Sequence, residues 1–550
     1  MGKQTKSIIG GMSVLGLTGI ICKLVGVLYS VPLTWLIGAD GLGVFQAVFP
    51  TYNLLLTMSS AGLPVAVSRM VSSCLAKDDP RSARTILRVA LWMLTALGAV
   101  CTLLMLSGNG LLASRVGLAE SALGFRVIAP CVTIVCVLSA FRGFMQGQQN
   151  MVPTAVSQLI EQVGKIFVSL PLAWLGYRLG IAAGTAQAEA AGITGAEALR
   201  LSTELAAAQG AAGALLGITI IEAVAMGYMV LLYFRRRAAF AALPQLAVDA
   251  PVPAPQLAGQ LFRISVPITI SACIVPLAQF VDSAMLLKRM VVSGLAIEEA
   301  RPLYGLFSGM VIRLINVPTA LALAVSMSLV PAISACRALN DHTGAARQSN
   351  LGLRLAFVIG FPCSIGMSVL AEPIIRFFYQ GTLSAGNISA ASSLLTKSAL
   401  TVVLFTVVQA TSAILQGLGR QRIPMYTLVA GVACKIILNY TLVAIPGVNI
   451  HGAPIASIVC YSVSMVPNLI MCMKYTGLRF NWQGWLLRPA AATAIMGAVV
   501  LAMRTLLPMT RLVTILEVLA GIAVYLAAAL ALKAVTREDL APLMRRRNRA

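Results

Sequence analysis

Ionisable side chains lie inside the long apolar stretches of this sequence. They are Lys23, Glu161, Lys165, Glu222, Asp282, Arg313 and Lys435. A charge near the centre of a bilayer costs roughly 2.5–3.5 kcal/mol on insertion scales, so such residues usually face a bundle interior or a water-filled cavity. Several of them together predict a polar chamber that is enclosed by helices.

The clearest polar stripe lies on the fifth apolar stretch. At about 100° per residue, one helix face carries Gln158, Glu161, Gln162, Lys165 and Ser169. One interpretation is a face that lines a cavity. The other is an ion pair between Glu161 and Lys165, one turn apart, buried between helices. The three further polar residues on the same face favour cavity lining.

Two other stretches present a cation on a face that also carries glycine. Lys23 shares a face with three glycines, which let helices approach closely, so it points into protein or chamber. It either attracts an anionic head group or is a paired or snorkelling lysine. Arg313 and Asn316 share a face in the eighth stretch. A guanidinium group suits bidentate contact with phosphate, so we expect Arg313 to contact substrate.

The remaining candidates are one further basic face and two acids. Lys435 and Asn439 are one turn apart in the eleventh stretch and form a second basic binding face. Glu222 and Asp282 are candidates for ion coupling or for neutralising the cations by structural pairing. The deep cations outnumber the deep acids, which favours an anionic substrate.

Signals of catalysis are absent from the sequence. It has no GxxxxGK[ST] phosphate loop, and its only histidines, His342 and His451, belong to no HExxH or metal-spaced cluster. The eleven cysteines form no CxxC pair and are expected to be buried thiols. We expect no enzyme activity, no cofactor and no metal, so a gradient, the membrane potential or substrate supply must drive any transport.

The composition is that of a polytopic membrane protein. The 550 residues are 58% hydrophobic and only 11% charged, against about 25% charged in soluble proteins. A span needs about 20 apolar residues. We predict an all-α membrane fold of fourteen transmembrane helices, at 8–37, 43–73, 85–111, 122–145, 153–178, 210–234, 259–287, 303–334, 353–372, 391–418, 424–446, 451–473, 486–507 and 512–534. The first, second and eighth are long enough to be tilted, to break at Pro32, Pro64 or Pro318, or to extend into water.

The net charge of +23 is arranged asymmetrically. Most of the 41 lysines and arginines fall in loops and flanks on the side of the N-terminus. The positive-inside rule then places both termini in the cytoplasm, with the basic clusters against anionic membrane lipids. This placement argues against nucleic acid as a partner. The predicted location is the bacterial cytoplasmic membrane.

An internal repeat organises the spans. Lys165 follows Gln146 by the same nineteen residues that separate Lys435 from Gln416, an offset of 270, and a weaker match has an offset of 266. The offset equals six spans, so both copies have one orientation, related by a pseudo-twofold axis along the membrane normal.

The repeat gives the predicted domains. They are an N-lobe at 1–234, a cytoplasmic linker at 235–258, a C-lobe at 259–474, two appended helices at 486–534 and a basic cytoplasmic tail at 535–550. The Ala/Gly-rich segment 179–208 is predicted to be an external loop or a short surface helix.

Several short motifs resemble the stage V sporulation protein B family. They include residues 23–26, 36–38 and 41–46, residues 61–68 (AGLPVAVS), residues 141–147 (FRGFMQG), residues 160–162, and residues 304–306 and 329–334. The match runs from the first span to the twelfth. This family belongs to the multidrug/oligosaccharidyl-lipid/polysaccharide exporter superfamily, which includes the lipid II flippases.

The resemblance implies a substrate and a mechanism. The substrate would be an undecaprenyl-diphosphate-linked cell-wall precursor, turned from inner to outer leaflet by alternating access. The last two spans would help to form a groove for the lipid tail. Lipid II flippases carry essential arginines in their first two spans. Lys23 keeps the charge of one of them, but Tyr29 and Leu56 stand where others are expected. Recognition is then either redistributed to Arg313, Lys165 and Lys435 or aimed at a different precursor.

Other functions remain open. The chain could export lipid-linked polysaccharide repeat units, or it could be a cation-coupled drug antiporter, which would need acids to dominate the chamber. It could also be a non-transporting scaffold whose partners are cell-wall synthesis proteins. In a scaffold, the buried charges would tolerate apolar replacement.

Overall fold

The computed structural model describes residues 2–75, 79–241 and 253–534. Within these ranges several side chains are not described, most of them before residue 28 and among them that of Lys23. These residues fold into helices: α1 Gly2–Ser60, α2 Gly62–Leu75, α3 Pro80–Ser107, α4 Asn109–Val116, α5 Ser121–Gly147, α6 Val152–Gly164, α7 Leu170–Ala190, α8 Ala196–Ala241, α9 Ala254–Val292, α10 Ile297–Gly305, α11 Ile312–Ala338, α12 His342–Val369, α13 Ala371–Tyr379, α14 Ala385–Ser398, α15 Leu400–Gly417, α16 Arg422–Leu442, α17 Gly452–Thr476, α18 Arg488–Leu506 and α19 Arg511–Ala531. Shorter π-helical turns at Lys165–Ser169, Leu306–Val311 and Trp482–Leu487 join some of them without interruption.

The helices are those of a multi-pass membrane protein, as predicted. Within the described residues, twelve helical runs are long and apolar enough to cross a membrane, and α9, bent by 48°, makes thirteen. In lipid the backbone must satisfy its own hydrogen bonds, which helices do. The predicted count of fourteen is higher than this range. The difference lies in α1, whose 59 residues span roughly 88 Å at 1.5 Å per residue, against a hydrocarbon core of about 30 Å.

The break in α1 falls at a glycine. Gly38 has φ 66° and ψ −174°, a conformation that glycine adopts readily, whereas Pro32 lies inside the helix. The chain also bends at Ala61, so that Pro64 falls in the first turn of α2, where its missing N–H costs nothing. In the eighth span, Pro318 lies inside α11, and the irregular segment is the π-helical turn Leu306–Val311.

The chain divides into two compact units. The first comprises Met1–Val291 and Ala296–Gly305, and the second Val292–Leu295 and Leu306–Ala550. In the first, α5 is the central helix: it packs against α1, α2, α3 and α8, and more than half of its residues are buried. In the second, α15 has the same role, against α11, α12, α16 and α17.

A matching helix contact occurs inside each unit and supports the internal repeat. In the first, a Cβ on Gly98 of α3 would lie 2.9 Å from the Cα of Thr133 on α5. In the second, a Cβ on Gly360 of α12 would lie 3.0 Å from the Cα of Val403 on α15. The two glycines are 262 residues apart and their partners 270 apart, close to the offsets seen in the sequence. The predicted lobes and their symmetry axis stay predictions.

The segment 179–208 is neither a loop nor a separate surface helix, which corrects the sequence prediction. Helix α7 continues to Ala190 and α8 begins at Ala196, so one tight turn joins two long helices. Small residues hold them together: a Cβ on Gly180 would lie 2.5 Å from the Cα of Ala206, and one on Gly184 would lie 2.4 Å from the Cα of Ser202. Alanine favours helix strongly, and facing glycines let the backbones touch.

One predicted segment is described in part, and another lies outside the described residues. In the predicted linker 235–258, α8 extends to Ala241 and α9 begins at Ala254, and the residues between 242 and 252 lie outside the described part of the chain. The predicted basic tail 535–550 lies outside it as well.

A buried arginine fixes α10 within the first unit. Arg301 is 4% exposed, and its Nη2 lies 2.9 Å from Oε1 of Glu120. The hydroxyl of Tyr304 donates to the carbonyl of Gln46 at 3.0 Å, and a Cβ on Gly43 would lie 2.7 Å from the Arg301 carbonyl oxygen. Helix α10 is therefore held against α1, although the chain passes directly from α10 into the second unit at Leu306. The sequence placed Arg301 just outside a span and did not single it out.

Asp341 caps the N-terminus of α12. Its Oδ1 accepts hydrogen bonds from the backbone N–H of Gly344 and the hydroxyl of Thr343, both at 2.8 Å. The Gly344 N–H, and secondly the hydroxyl, lower the pKa of Asp341 below its ordinary value. Because the folded pKa is lower than the unfolded one, the cap is fully stabilising above the unfolded pKa of about 3.9 and is lost as pH falls further.

We therefore expect Asp341→Ala to lower the thermal unfolding midpoint at pH 7, because it removes the cap. The difference from wild type should shrink progressively as pH falls below about 4, because the carboxylate becomes protonated first in the unfolded and then in the folded state. Asp341→Asn is the control, since asparagine caps as well as aspartate. Unfolding scans in detergent between pH 3 and 7 measure all three. An unchanged Ala deficit at low pH would contradict the assignment.

Candidate functional site

The candidate site is built on a tight helical turn. Helix α5 ends at Gly147, and α6 begins at Val152 with Pro153 in its first turn, where proline needs no N–H. Gln149, between them, has φ 61°. Such a short connection makes α5 and α6 antiparallel neighbours, so residues equally far from the turn face each other.

Arg142 and Glu161 form an ion pair across this turn. The Nε of Arg142 also donates to the Ser157 hydroxyl at 2.9 Å. The side chains of Arg142 and Glu161 are only 13% and 10% exposed. A buried charge is tolerated when it is paired and hydrogen-bonded. The ion pair of Glu161 is thus made with Arg142 on the preceding helix, and not with Lys165 one turn along its own.

Lys165 begins the π-helical turn Lys165–Ser169. The widened turn ends just before Pro171, which has no N–H to return to the carbonyl of Phe167. Such turns occur often at functional sites. Lys165 is half-buried, and it forms no ion pair with any residue in the described ranges. It is therefore a cation that is held inside the first unit without a fixed counter-charge.

Glu222 on α8 lies next to these three residues. It is 5% exposed, and its side chain is within hydrogen-bonding contact of Glu161. Lys165 and Arg142 both interact electrostatically with it. We call Arg142, Glu161, Lys165 and Glu222 the polar cluster. The structure brings together three residues that the sequence singled out and adds Arg142, which it did not.

Helix α1 covers this region. The thiol of Cys22 lies 3.7 Å from the carbonyl of Gln158, and the Gln162 amide oxygen lies 4.0 Å from the position of a Cβ on Gly26. The backbone of Lys23 is therefore in the segment that faces α6. Its side chain lies outside the described residues, so its predicted role stays a prediction.

Tyr29 and Leu56 stand at the two positions where the family resemblance predicts arginine. Tyr29 is buried, and its hydroxyl lies 2.7 Å from that of Ser169, which itself donates to the Ala214 carbonyl at 2.6 Å. Leu56 is half-buried on α1. Tyr29 thus joins α1 to the end of the π-helical turn and adds no charge to the site.

The other predicted site residues lie elsewhere in the chain. Asp282 is half-buried on α9, in the first unit. In the second unit, Arg313 is half-buried and Asn316 exposed on α11, and Lys435 is half-buried on α16, one turn before the fully buried Asn439. Their predicted place in a single chamber with the polar cluster stays a prediction.

No group in the described ranges is arranged to hold a metal ion: no three His, Cys, Asp or Glu side chains there come together. The cysteines are free thiols. The polar cluster groups two cations and two carboxylates inside one unit, an arrangement that can bind an anion or exchange a proton.

Family comparisons agree with this fold. Residues 8–205 match the family described as polysaccharide biosynthesis protein, and residues 267–441 match the MatE family. The two matched regions fall on either side of the predicted linker and cover much of the membrane-spanning part.

Two relatives from Bacillus subtilis (strain 168) align over most of the chain. The chain is 26% identical to the lipid II flippase MurJ over 501 residues, 87% of this chain and 85% of the relative. It is 25% identical to stage V sporulation protein B over 457 residues, 83% of this chain and 81% of the relative.

Solved structures show the same fold. A lipid II flippase MurJ in an inward closed conformation superposes with a TM-score of 0.67 at 14% identity, covering 93% of this chain and 97% of that one. An inward-facing MATE family multidrug resistance transporter gives 0.63 at 14% identity, covering 83% and 96%. The superfamily that the sequence resemblance indicated is confirmed. The chain is a multi-pass membrane protein of the multidrug/oligosaccharidyl-lipid/polysaccharide transporter superfamily, distantly related to MurJ and to stage V sporulation protein B.

Proposed function

We propose that the chain is a flippase that moves an undecaprenyl-diphosphate-linked saccharide of the lipid II type from the inner to the outer leaflet. The observation that carries the proposal is the buried polar cluster in a chain related to a lipid II flippase, with Lys165 in no ion pair within the described ranges. An apolar membrane unit encloses such a group at a cost in stability, so its presence indicates function.

The charges of the deep side chains favour an anionic head group. Arg142 adds a cation to Lys165 in the first unit, and Arg313 and Lys435 are half-buried in the second. A diphosphate carries about two negative charges, which guanidinium and ammonium groups bind well. A drug antiporter for cations would need the opposite balance.

The membrane potential can drive this movement. An inside-negative potential favours outward transfer of an anion by about 2.3 kcal/mol per charge per 100 mV. Two negative charges therefore gain several kcal/mol, provided that the cations of the cluster do not move with them. No nucleotide hydrolysis is needed.

For the architecture, we propose fourteen crossings, both termini in the cytoplasm and two six-helix lobes that alternate access. The length of α1 and its break at Gly38 support counting it as two crossings. Helices α18 and α19 would guide the lipid tail. Large apolar side chains on α19 are exposed, as such a groove requires, among them Leu512, Leu516 and Leu519.

A second candidate is export of lipid-linked polysaccharide repeat units. The match of residues 8–205 to the polysaccharide biosynthesis family favours it. The two functions share a lipid diphosphate and differ in the sugar. Depleting the chain in its host and identifying the lipid-linked intermediate that accumulates on the inner leaflet distinguishes them.

We expect Lys165→Glu to reduce flipping at least tenfold, because it places a third carboxylate in a site for an anion. Fluorescent lipid II in vesicles with the purified full-length chain measures the initial rate. Lys165→Arg should retain most activity, since the charge is kept.

Lys474→Glu is the matched control. Lys474 is exposed at the end of α17, and its replacement by glutamate changes the net charge by the same amount as Lys165→Glu. Unimpaired flipping by Lys165→Glu would remove the proposed role of Lys165. A wild-type chain that flips no lipid-linked diphosphate would refute the flippase, and the scaffold would then be the better description.

A further inference from the structure

Two buried carboxyl groups from different helices touch inside the first unit. Glu161 on α6 is 8% exposed and Glu222 on α8 is 5% exposed, and their side chains are within hydrogen-bonding contact. One oxygen, Oε2 of Glu222, is fully buried and accepts no hydrogen bond from the residues that the structure describes. A carboxylate oxygen in this position would be an uncompensated charge, whereas a protonated carboxyl group would be a donor in reach of Glu161.

Charged and titratable groups approach the pair from α1, from α5 and from the π-helical turn. Arg142 of α5 binds Glu161, and Lys165 interacts with Glu222 from the π-helical turn. Three uncharged groups are also near. They are Cys22 and Tyr52 of α1 and Cys131 of α5, the last two in contact at 3.2 Å. Arg142 is committed to Glu161, so among the side chains that the structure describes no cation forms an ion pair with Glu222.

Two carboxylates in contact repel each other, and one proton held between them removes that repulsion. We infer that Glu161 and Glu222 share one proton, and that this pair is a proton-binding site whose occupancy sets the net charge of the polar cluster. With one proton the cluster has two positive charges and one negative. Without it the cluster is neutral.

The effect of the shared proton on substrate binding rests on the proposed function. A cluster with a net positive charge binds a lipid diphosphate better than a neutral one. By linkage, anion binding then strengthens proton binding by the same factor as the proton strengthens anion binding. The proton is a co-ligand of the diphosphate, and loss of the proton favours release of the head group.

The proton itself is tested without any substrate. Infrared difference spectra of the purified full-length chain at neutral pH should contain the band of a protonated carboxyl group. The band should disappear in Glu222→Gln and remain in Glu189→Gln, a control at an exposed position on α7. Glu161→Gln gives a second measurement if one variant does not fold. Absence of the band in wild type overturns the inference and leaves the flippase proposal intact.

The linkage is tested with undecaprenyl diphosphate as the probe. Its affinity for the wild-type chain should fall by up to tenfold per pH unit above the titration of the pair, since one proton is involved. Glu222→Gln, which is permanently uncharged, should bind it tightly at every pH. Lys165→Met should bind it more weakly but keep the pH dependence.

Three results would count against part of this scheme. Affinity that is independent of pH in wild type overturns the linkage. A pH dependence that persists unchanged in Glu222→Gln places the proton elsewhere. A chain that shows the carboxyl band but neither binds nor flips the probe keeps the shared proton and refutes the flippase.

Discussion

Replacing Arg142 with methionine is expected to lower the free energy of unfolding by about 3 kcal/mol. The variant leaves Glu161 buried without its cation, and it also removes the hydrogen bond from Arg142 to Ser157. Removing one partner of a buried ion pair costs more than the pair itself is worth, because the remaining charge stays desolvated. Thermal or denaturant unfolding in detergent measures the loss.

The double variant Arg142→Met with Glu161→Met separates stability from function. Well-packed apolar replacements of both members of a buried pair are often neutral or stabilising. We therefore expect the double variant to recover most of the lost stability and yet to be inactive in flipping. A single Arg142→Met variant as stable as wild type would contradict the ion pair. An active double variant would make the pair purely structural.

Gly213→Ala is expected to destabilise the chain by about 3 kcal/mol, although alanine favours helix over glycine by about 1 kcal/mol. A Cβ on Gly213 would lie 2.1 Å from the carbonyl oxygen of Leu172 on α7. The obstacle is backbone, so only a shift of a whole helix relieves it. Helices α7 and α8 would separate along their shared face, beside Ser169 and the polar cluster.

Gly227→Ala is the matched control on the same helix. A Cβ on Gly227 would meet nothing within 4 Å, so this variant should be as stable as wild type or slightly more so. Unfolding midpoints and the yield of monodisperse protein compare the two. Equal stability of both variants would mean that the close contact of α7 and α8 does not exist in the membrane.

Helix positions and the polar face were predictable, because both depend on local pattern. A run of about 20 apolar residues must be helical in lipid, and a 3.6-residue period places Gln158, Glu161 and Lys165 on one face. The repeat also followed from spacing alone. None of these inferences required knowledge of which helices touch.

The partners of the polar residues were not predictable in this way, because they depend on contacts between helices. Arg142 was not among the residues that the sequence singled out, yet it pairs with Glu161. One signal was available: Arg142 and Ser157 lie equally far from the centre of the turn between Gln149 and Asn150. Positions that are equidistant from a tight turn face each other across antiparallel helices. Glu222 and Glu161 had no such signal, since a long stretch of sequence separates them.

The hairpin of α7 and α8 offers a way to determine the orientation of the chain in the membrane. From Val152 to Ala190 the chain is helical for 39 residues, about 58 Å, while even a helix tilted by 40° needs only about 40 Å to cross the hydrocarbon. The turn at 192–195 has two glycines with open space around them. It should accept an inserted epitope tag without disturbing the bundle. Antibody binding to intact spheroplasts, without binding to sealed inverted vesicles, would then show which side of the membrane this turn faces and so fix the orientation of the entire chain.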